Sequence, residues 1–305
     1  MHKPVLLNEA IDLLNVNKGM VYVDCTLGLG GHSLEILTRL NGKGTLIGIE
    51  QDETILKITK DKLKEFKNCY LFHANFLQLP EILQTLKIDK ISGGVLFDLG
   101  VNSIHFDMPE RGFSFKSSGP LDMRMDSRQP LTAYKIINSY KEPELADTIY
   151  KFGEERHSRK IAKAIIQNRA KGPIKTTLEL ANIIFNCYRY ITNKSYFKIH
   201  PATKTFQALR IEVNKELDNL EKFLCFIPEL LLPQSRLTVI SFHSLEDRIT
   251  KNFLKSNREF KVLTKKPITP SPNEIKNNPR SRSAKLRAGE KTEKISNETL
   301  FKNNQ

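Results

Sequence analysis

Short apolar runs recur through the first hundred residues. Met20 to Asp24 is the first and ends in an acid, and Thr45 to Glu50 repeats that pattern. Cys69 to His73 forms a third run and Gly94 to Asp98 a fourth. Between them apolar residues fall at helical spacing, as in Leu34, Leu37 and Leu40. Strands alternating with amphipathic helices predict βαβ units and a mostly parallel sheet. After Asp98 the pattern changes. The next buried strand, Leu237 to Phe242, comes almost 140 residues later, whereas a βαβ unit needs only about 30. The intervening stretch is helical in pattern: Leu145, Ile149, Ile161, Ala164 and Ile165, then Leu178, Ala181 and Ile184. The fold class expected is therefore α/β, a Rossmann-like sheet domain (1–105 and 206–305) interrupted by an all-helical insert (106–205). The chain is expected to return along one long helix, with Phe206, Leu209, Val213, Leu217, Leu220 and Leu224 on one face. Pro201 would precede that helix and Pro228 follow it. Beyond a further helix ending near Leu254, Phe260 to Leu263 and Ala284 to Arg287 are candidate strands. The loop joining them holds Pro267, Pro270, Pro272 and Pro279 and is expected to be irregular.

Composition narrows the class. In 305 residues, 39% hydrophobic content with 17 Phe suffices for a sizeable core and excludes a wholly disordered chain. No apolar run approaches the roughly 20 residues of a membrane span; the longest, around Cys225 to Leu232, is broken by Pro228 and Glu229. Val5, Leu6 and Leu7 run into Asn8 and Glu9, so no secretory signal is expected. The four cysteines form no CxxC pair, which argues against a zinc ribbon or a disulfide scaffold and for reduced thiols in the cytoplasm. The 48 Lys and Arg against 34 Asp and Glu leave a charge of +14, which points to a polyanionic partner, most often nucleic acid. Because 33 of those cations are Lys, a diffuse compositional bias is the rival reading. Location favours binding: from Lys255 to Gln305 there are 13 cations against 5 acids.

Candidate chemistry begins at Asp24-Cys-Thr-Leu-Gly28-Leu-Gly30-Gly31-His32-Ser33, which follows the first strand and opens a helix. Glycines there let the backbone approach a ligand, and the helix start offers unpaired N–H groups to a carboxylate or phosphate. Glu50 ends the second strand, where a carboxylate can accept both hydroxyls of a ribose. A ribose-bearing cofactor follows. The dinucleotide fingerprint would place its last small residue at Ser33 and fits poorly. An acid four residues before the first glycine instead resembles motif I of class I S-adenosylmethionine-dependent methyltransferases.

Further motifs make the resemblance specific. They are Gly28-Leu-Gly-Gly-His-Ser33, Asp98-Leu-Gly-Val-Asn-Ser103, Glu110-Arg-Gly-Phe-Ser-Phe115 and Gly119-Pro-Leu-Asp-Met-Arg-Met125. Gly153-Glu-Glu-Arg156, His200-Pro-Ala-Thr203, Phe206-Gln-Ala-Leu-Arg210 and Ser241-Phe-His-Ser-Leu-Glu-Asp-Arg248 continue the series. Together they resemble the RsmH (MraW) family of bacterial 16S ribosomal RNA cytosine N4-methyltransferases, from about Pro4 to Ser283. Departures are small: Cys25 and Leu27 replace the family's usual Gly and Phe. Asn102 stands where Ser is common, Glu50 where Asp is more frequent, and His105 where Gln is often found.

The resemblance implies S-adenosyl-L-methionine as cofactor, held by Gly30, Gly31, His32, Glu50, Phe76, Asp98 and His105. It also implies a specific cytidine of 16S rRNA, in the decoding region of the small ribosomal subunit, as substrate. No metal and no membrane partner are implied, and oligomeric state stays open, a homodimer included. At the acceptor, Asp98 at the carboxyl end of its strand is positioned to hydrogen-bond the amine, while Asp122, Arg124 and His243 are assigned to the base pocket. Two alternatives stand beside this: Asp98 serving the cofactor alone, and His243 as a structural residue. The aromatic platform common after such an acid is missing from Asp98-Leu-Gly-Val, which leaves Phe113 or Phe115 to stack on the base. Arg280 and Arg282 in the basic tail are expected to grip phosphate, since Arg offers a planar fork. A methyltransferase acting on DNA or protein, and a non-catalytic RNA-binding assembly factor, are the competing functions.

Overall fold

The computed structural model describes residues 4–293, and the chain divides into two compact units: 1–100 with 218–305, and 101–217. The last stretch of the basic tail, with Lys294 and Lys302, lies outside the described residues.

In the first unit the elements run α1 (Leu7–Leu14), β1 (Val21–Asp24), α2 (Gly31–Leu40), β2 (Thr45–Glu50), α3 (Glu53–Leu63), β3 (Cys69–His73), α4 (Leu79–Thr85) and β4 (Gly94–Asp98). The second unit carries α5 (Ser103–Asp107), α6 (Ala133–Ser139), α7 (Glu142–Gly153), α8 (Ser158–Arg169), α9 (Thr177–Thr192) and α10 (Ala202–Asn214). The chain leaves it along α11 (Glu216–Leu230) and closes the first unit with β5 (Arg236–Ser241), α12 (Ser244–Ser256), β6 (Phe260–Val262), α13 (Pro272–Asn277) and β7 (Lys285–Lys291).

The sheet order is β3-β2-β1-β4-β5-β7-β6, parallel except for β7, which is antiparallel to both neighbours. This is the α/β class I methyltransferase sheet expected from the motifs. Its central strands β1, β2, β4 and β5 are buried on both faces, and their side chains alternate between two cores as the strand period of two requires. Tyr22, Leu46, Leu96 and Ile240 pack with Ile11, Leu14, Ile36, Leu37, Leu56 and Leu63 of α1, α2 and α3. Val23, Ile47, Val95, Phe97, Leu237 and Val239 pack with α4, α11 and α12. The second core holds a three-ring cluster: Phe97 and Phe223 meet edge to face at 4.6 Å, and Phe76 meets them at 5.2 and 5.6 Å.

The inserted unit has its own core. Ile136, Ile137, Leu145, Ile149, Ile161, Ile165, Leu180, Ile184 and Leu209 are fully sealed from solvent. The unit spans 101–217 against the expected 106–205, so 101–105 and 206–217 fall in it as well: α10 lies against α7 and contributes Phe206, Leu209 and Val213 to this core.

Three local expectations are corrected. The returning helix is not continuous: Lys215 sits in the left-handed region (φ 51°) and separates α10 from α11. Asn214 drives the break, since its side chain accepts from Met125 N (2.8 Å) and donates to Met123 O (2.8 Å). Pro228 lies inside α11 rather than beyond it; its missing N–H removes one bond, and burial of Phe223, Leu224 and Ile227 holds the helix. The proline-rich loop is also less irregular than expected. Pro272 opens α13, where its absent N–H would have no helical partner, and 279–283 form a 3₁₀ turn.

Phe223 is wholly buried between Phe76 and Phe97. Phe223→Ala is expected to destabilise the sheet unit by about 3–5 kcal/mol, read as a lowered urea midpoint; an unchanged midpoint would mean the cluster is not a stability element.

Candidate active site

Parallel strands deliver their last residues to one edge of the sheet, where ligands bind in open α/β folds. Here those residues are Asp24, Glu50 and Asp98. The loop after Asp24 turns through Gly28 (φ 50°) and Gly30 (φ 67°), conformations that favour glycine. A Cβ at Gly30 would come within 2.7 Å of Thr59, and one at Gly31 within 2.2 Å of the Pro4 ring. Pro4 and Val5 therefore lie directly over the loop, a contact that carries no motif in the sequence.

The acids differ in their surroundings. Asp24 is buried; its Oδ2 accepts from Ser33 Oγ (2.7 Å) and its Oδ1 from Thr26 N (3.2 Å). Burial still pushes its carboxyl up to about 6. Glu50 accepts from Gly28 N and Asp52 N, both at 2.9 Å, which locks it to the glycine loop. Desolvation outweighs those bonds and raises it to about 7. A carboxylate has about four acceptor positions, so Glu50 keeps acceptor capacity beyond its backbone bonds. Asp98 donates its backbone N–H to Thr26 Oγ1 (2.6 Å), which ties β4 to the loop. Its Oδ1 is sealed from solvent and has no hydrogen-bond partner. Burial first, then the charges of Asp24 and Glu246, push it up to about 8.

His32 stands in the first turn of α2, buried, with Nε2 3.0 Å from Val5 O. A carbonyl can only accept, so Nε2 carries a proton, and Nδ1 faces Asp98 Oδ2 at 3.9 Å. Phe76 begins the 3₁₀ turn after β3, capped by Asn75, whose side chain accepts from Leu77 N. Its ring is anchored by Phe97 and Phe223 yet stays half-buried, so it serves the core and borders the edge at once. The structure thus brings Gly30, Gly31, His32 and Asp98 together, with Glu50 bonded to the same loop.

His243 caps α12: its Nδ1 accepts from Glu246 N at 3.4 Å, and Nε2 lies 3.1 Å from Glu246 Oε1 without hydrogen-bond alignment. Glu246 accepts in return from Phe242 N and His243 N. A helix start is what the sequence there, His-Ser-Leu-Glu, encodes. Phe242 packs under Gly100, where a Cβ would meet its ring at 2.7 Å.

The remaining residues lie in the inserted unit. His105 is buried and stacks on Phe113 at 4.8 Å. Asp122 and Arg124 form a two-pronged ion pair, Nε to Oδ1 and Nη2 to Oδ2, each 2.8 Å. Burial would raise Asp122, but the Arg124 hydrogen bonds more than offset it and hold the carboxyl low. Arg124 also donates to Ser127 O and Gln129 O, so the pair fixes its own loop. Phe113 belongs to the core, whereas Phe115 stays half-buried between His200 (4.6 Å) and Phe206 (4.8 Å).

Sequence patterns missed Thr26, Ser33 and Thr59 as supports for the loop. Their signal was weak, since single hydroxyls carry no periodicity; Thr59 Oγ1 donates to Gly28 O (2.6 Å) from α3, 31 residues away.

Three acids whose folded-state affinity for protons is raised set the pH response of the cofactor-free protein. Each favours the folded state below the ordinary carboxylate range and loses that contribution as pH rises through its folded value. Stability should therefore fall from about pH 4 toward 8, with Asp24 near 6, Glu50 near 7 and Asp98 near 8. Asp98→Asn should flatten the decline between pH 7 and 8 in thermal melts; parallel curves for the two proteins would contradict the assignment.

Comparison with known sequences gives the family. The profile of the MraW methylase family matches residues 1–292. The ribosomal RNA small subunit methyltransferase H of Koribacter versatilis (strain Ellin345) is 49% identical over 298 residues, covering 94% of this chain and 93% of that protein. The proteins of the same name from Sulfurihydrogenibium sp. (strain YO3AOP1) and Clostridium botulinum (strain Kyoto / Type A2) are 50% and 47% identical, each covering 94% of this chain and 98% and 97% of their own. With the glycine loop, its flanking acids and a family profile that spans nearly the whole chain, this methyltransferase belongs to the MraW methylase family.

Proposed function

We propose that the protein transfers a methyl group from S-adenosyl-L-methionine to the exocyclic N4 of a specific cytidine in the decoding region of 16S rRNA, with the small ribosomal subunit as its partner. The carrying observation is Asp98: a desolvated carboxylate with one unpartnered oxygen, at the end of β4 and beside the glycine loop. Relatives named for small-subunit ribosomal RNA methylation support the substrate class.

The residues fit the cofactor. Gly30 donates its own N–H to Leu27 O and shapes the turn, while Gly31 opens α2, a helix start that favours a carboxylate. Glu50 keeps acceptor positions for ribose, and the half-buried Phe76 offers a face for adenine. Bound there, S-adenosyl-L-methionine supplies a methyl group on a positively charged sulfur. A site holding Asp24 and Asp98 in low dielectric favours that cation. His105 completes the proposed cofactor set.

Asp98 Oδ1 accepts a hydrogen bond from the cytosine amine, orients its lone pair and stabilises the positive charge that develops on nitrogen. Full alignment of the reactants, of which this bond is one part, can supply roughly 7–11 kcal/mol. A stacked cytosine cannot present its amine at a buried carboxylate, so the nucleotide is extruded. His243 in the sheet unit, and Asp122 and Arg124 in the inserted unit, are assigned to recognition of the base, and the inserted unit to substrate recognition.

Incubation with labelled S-adenosyl-L-methionine should label undermethylated small subunits, and digestion should release N4-methylcytidine; label in DNA or protein instead would overturn the assignment. Asp98→Asn is expected to lower kcat about 100-fold, within the range for acid–base assistance, with a smaller change in cofactor Kd. Full-rate transfer by a variant that binds cofactor normally would remove Asp98 from the chemistry.

Arg280 and Arg282 are exposed on the 3₁₀ turn. Arg280→Gln with Arg282→Gln should flatten the salt dependence of RNA binding by about 0.7 per lost single-strand phosphate contact. Exchange of two scattered surface lysines with equal effect would return the tail's charge to composition.

A further inference from the structure

The end of α9 and the turn after it break the rule that apolar side chains are covered. From Phe185 to His200 no residue is fully buried, although the segment holds Phe185, Tyr188, Tyr190, Tyr196 and Phe197 together with Ile191 and Ile199. Tyr190 is 92% exposed and Tyr196 is 81% exposed. The turn is not loose. Phe197 packs edge to face on Phe185 (5.8 Å) and Tyr188 (5.7 Å), and His200 stacks on Phe185. Those contacts fold 193–200 back on the last turns of α9, with Tyr190 exposed on the helix and Tyr196 exposed on the turn.

Charge along this stretch of sequence is of one sign, although Glu155, between α7 and α8, accepts from Tyr188 Oη at 2.6 Å. Between Glu179 and Glu212 the sequence contains no Asp or Glu. Arg189, Lys194 and Lys198 are interleaved with the two tyrosines and form no ion pair among the described residues. The other two cations of the stretch are engaged: Lys204 donates to Glu154 O and Arg210 pairs with Glu216. An exposed apolar patch by itself says nothing of its occupant. Exposed rings alternating with unpaired cations fit one chemistry, a single-stranded polynucleotide whose bases stack while its phosphates meet Lys and Arg.

We infer that the α9 end and the 193–200 turn form a stacking platform for single-stranded RNA, with Tyr190 and Tyr196 taking bases and Arg189, Lys194 and Lys198 holding the backbone. This rests on the RNA reading above and goes beyond it by assigning the grip to residues outside every motif and outside the basic tail. Stacking on rings is tolerant of sequence, so the platform holds the strand and leaves base choice to the methylation pocket.

The test uses the full chain and a fluorescein-labelled, unstructured single-stranded RNA of about 12 nucleotides, within the span of known single-strand sites, read by anisotropy at several salt concentrations. Tyr190→Ala with Tyr196→Ala should weaken binding at least about tenfold, the lower part of the range for base–aromatic stacking. Tyr190→Phe with Tyr196→Phe should bind as the parent does. Lys194→Gln with Lys198→Gln should reduce the salt slope by about 1.4, two single-strand phosphate contacts. Tyr150→Ala, the same deletion at another exposed tyrosine of this unit (64% exposed), should change nothing.

Parent-like binding by the double alanine variant overturns the platform. So does equal loss in the phenylalanine pair, which would assign the effect to hydroxyls, or equal loss in Tyr150→Ala. Weakened docking on whole small subunits with unchanged binding of the RNA also overturns it, by assigning the surface to a protein partner. Because the oligonucleotide assay needs no methyl transfer, failure of the platform and failure of the methylation reading are separate results.

Discussion

Desolvated negative charge at the carboxyl edge of the sheet is the constraint around which the first unit is built. Asp24, Glu50 and Asp98 end β1, β2 and β4, and burial raises all three above the usual carboxylate range. Nothing in folding alone favours this arrangement, since burying a carboxylate without full partners is unfavourable. It persists because the strands that carry the acids are fixed by two well-packed cores. The hydroxyls of Thr26, Ser33 and Thr59 then hold the glycine loop against the acids. A positively charged ligand would offset this charge, so the desolvation of the edge and an affinity for such a ligand have one origin.

Stability and site are also joined through Phe76. Its ring completes an edge-to-face cluster with Phe97 and Phe223, while its position after β3 places it at the same edge as Asp98. The neighbouring α12 shows a similar double use. Glu246 and His243 cap the helix, and the Glu246 charge contributes to the raised Asp98. Positive charge in the tail is partly internal. Arg287 and Lys285 pair with Asp247, and Lys291 with Glu259, so several of the clustered cations bind the sheet and α12 rather than a ligand. Arg280 and Arg282, by contrast, are exposed on the 3₁₀ turn.

Much of this architecture was legible in the sequence because the strands are short apolar runs separated by stretches of helical spacing. Thr45–Glu50, Cys69–His73 and Gly94–Asp98 have the limits expected of them. The helical character of the insert was legible from spacing alone, as in Leu145 and Ile149. The break at Lys215 was not, because it depends on an Asn214 side chain bonded to Met123 and Met125, about 90 residues earlier. Helical periodicity runs unbroken through Leu209, Val213 and Leu217 and cannot report such a contact. Pro228 misled for the same reason: its local rule was overridden by burial of Phe223 and Ile227.

By itself the sequence determined the sheet, the helical insert, the glycine loop and the identity of the acids, since each follows from periodicity or from a run of neighbouring residues. Only the tertiary structure decided what those acids experience. Burial, the approach of Asp24 and Glu246 to Asp98, and the placing of Pro4 and Val5 over Gly31 and His32 arise between residues far apart in the chain. It likewise decided that Asp122 and Arg124 bind each other, and that the aromatic end of α9 faces solvent. Local pattern sets which elements form; desolvation and exposure are properties of the packed whole, and the chemistry follows from them.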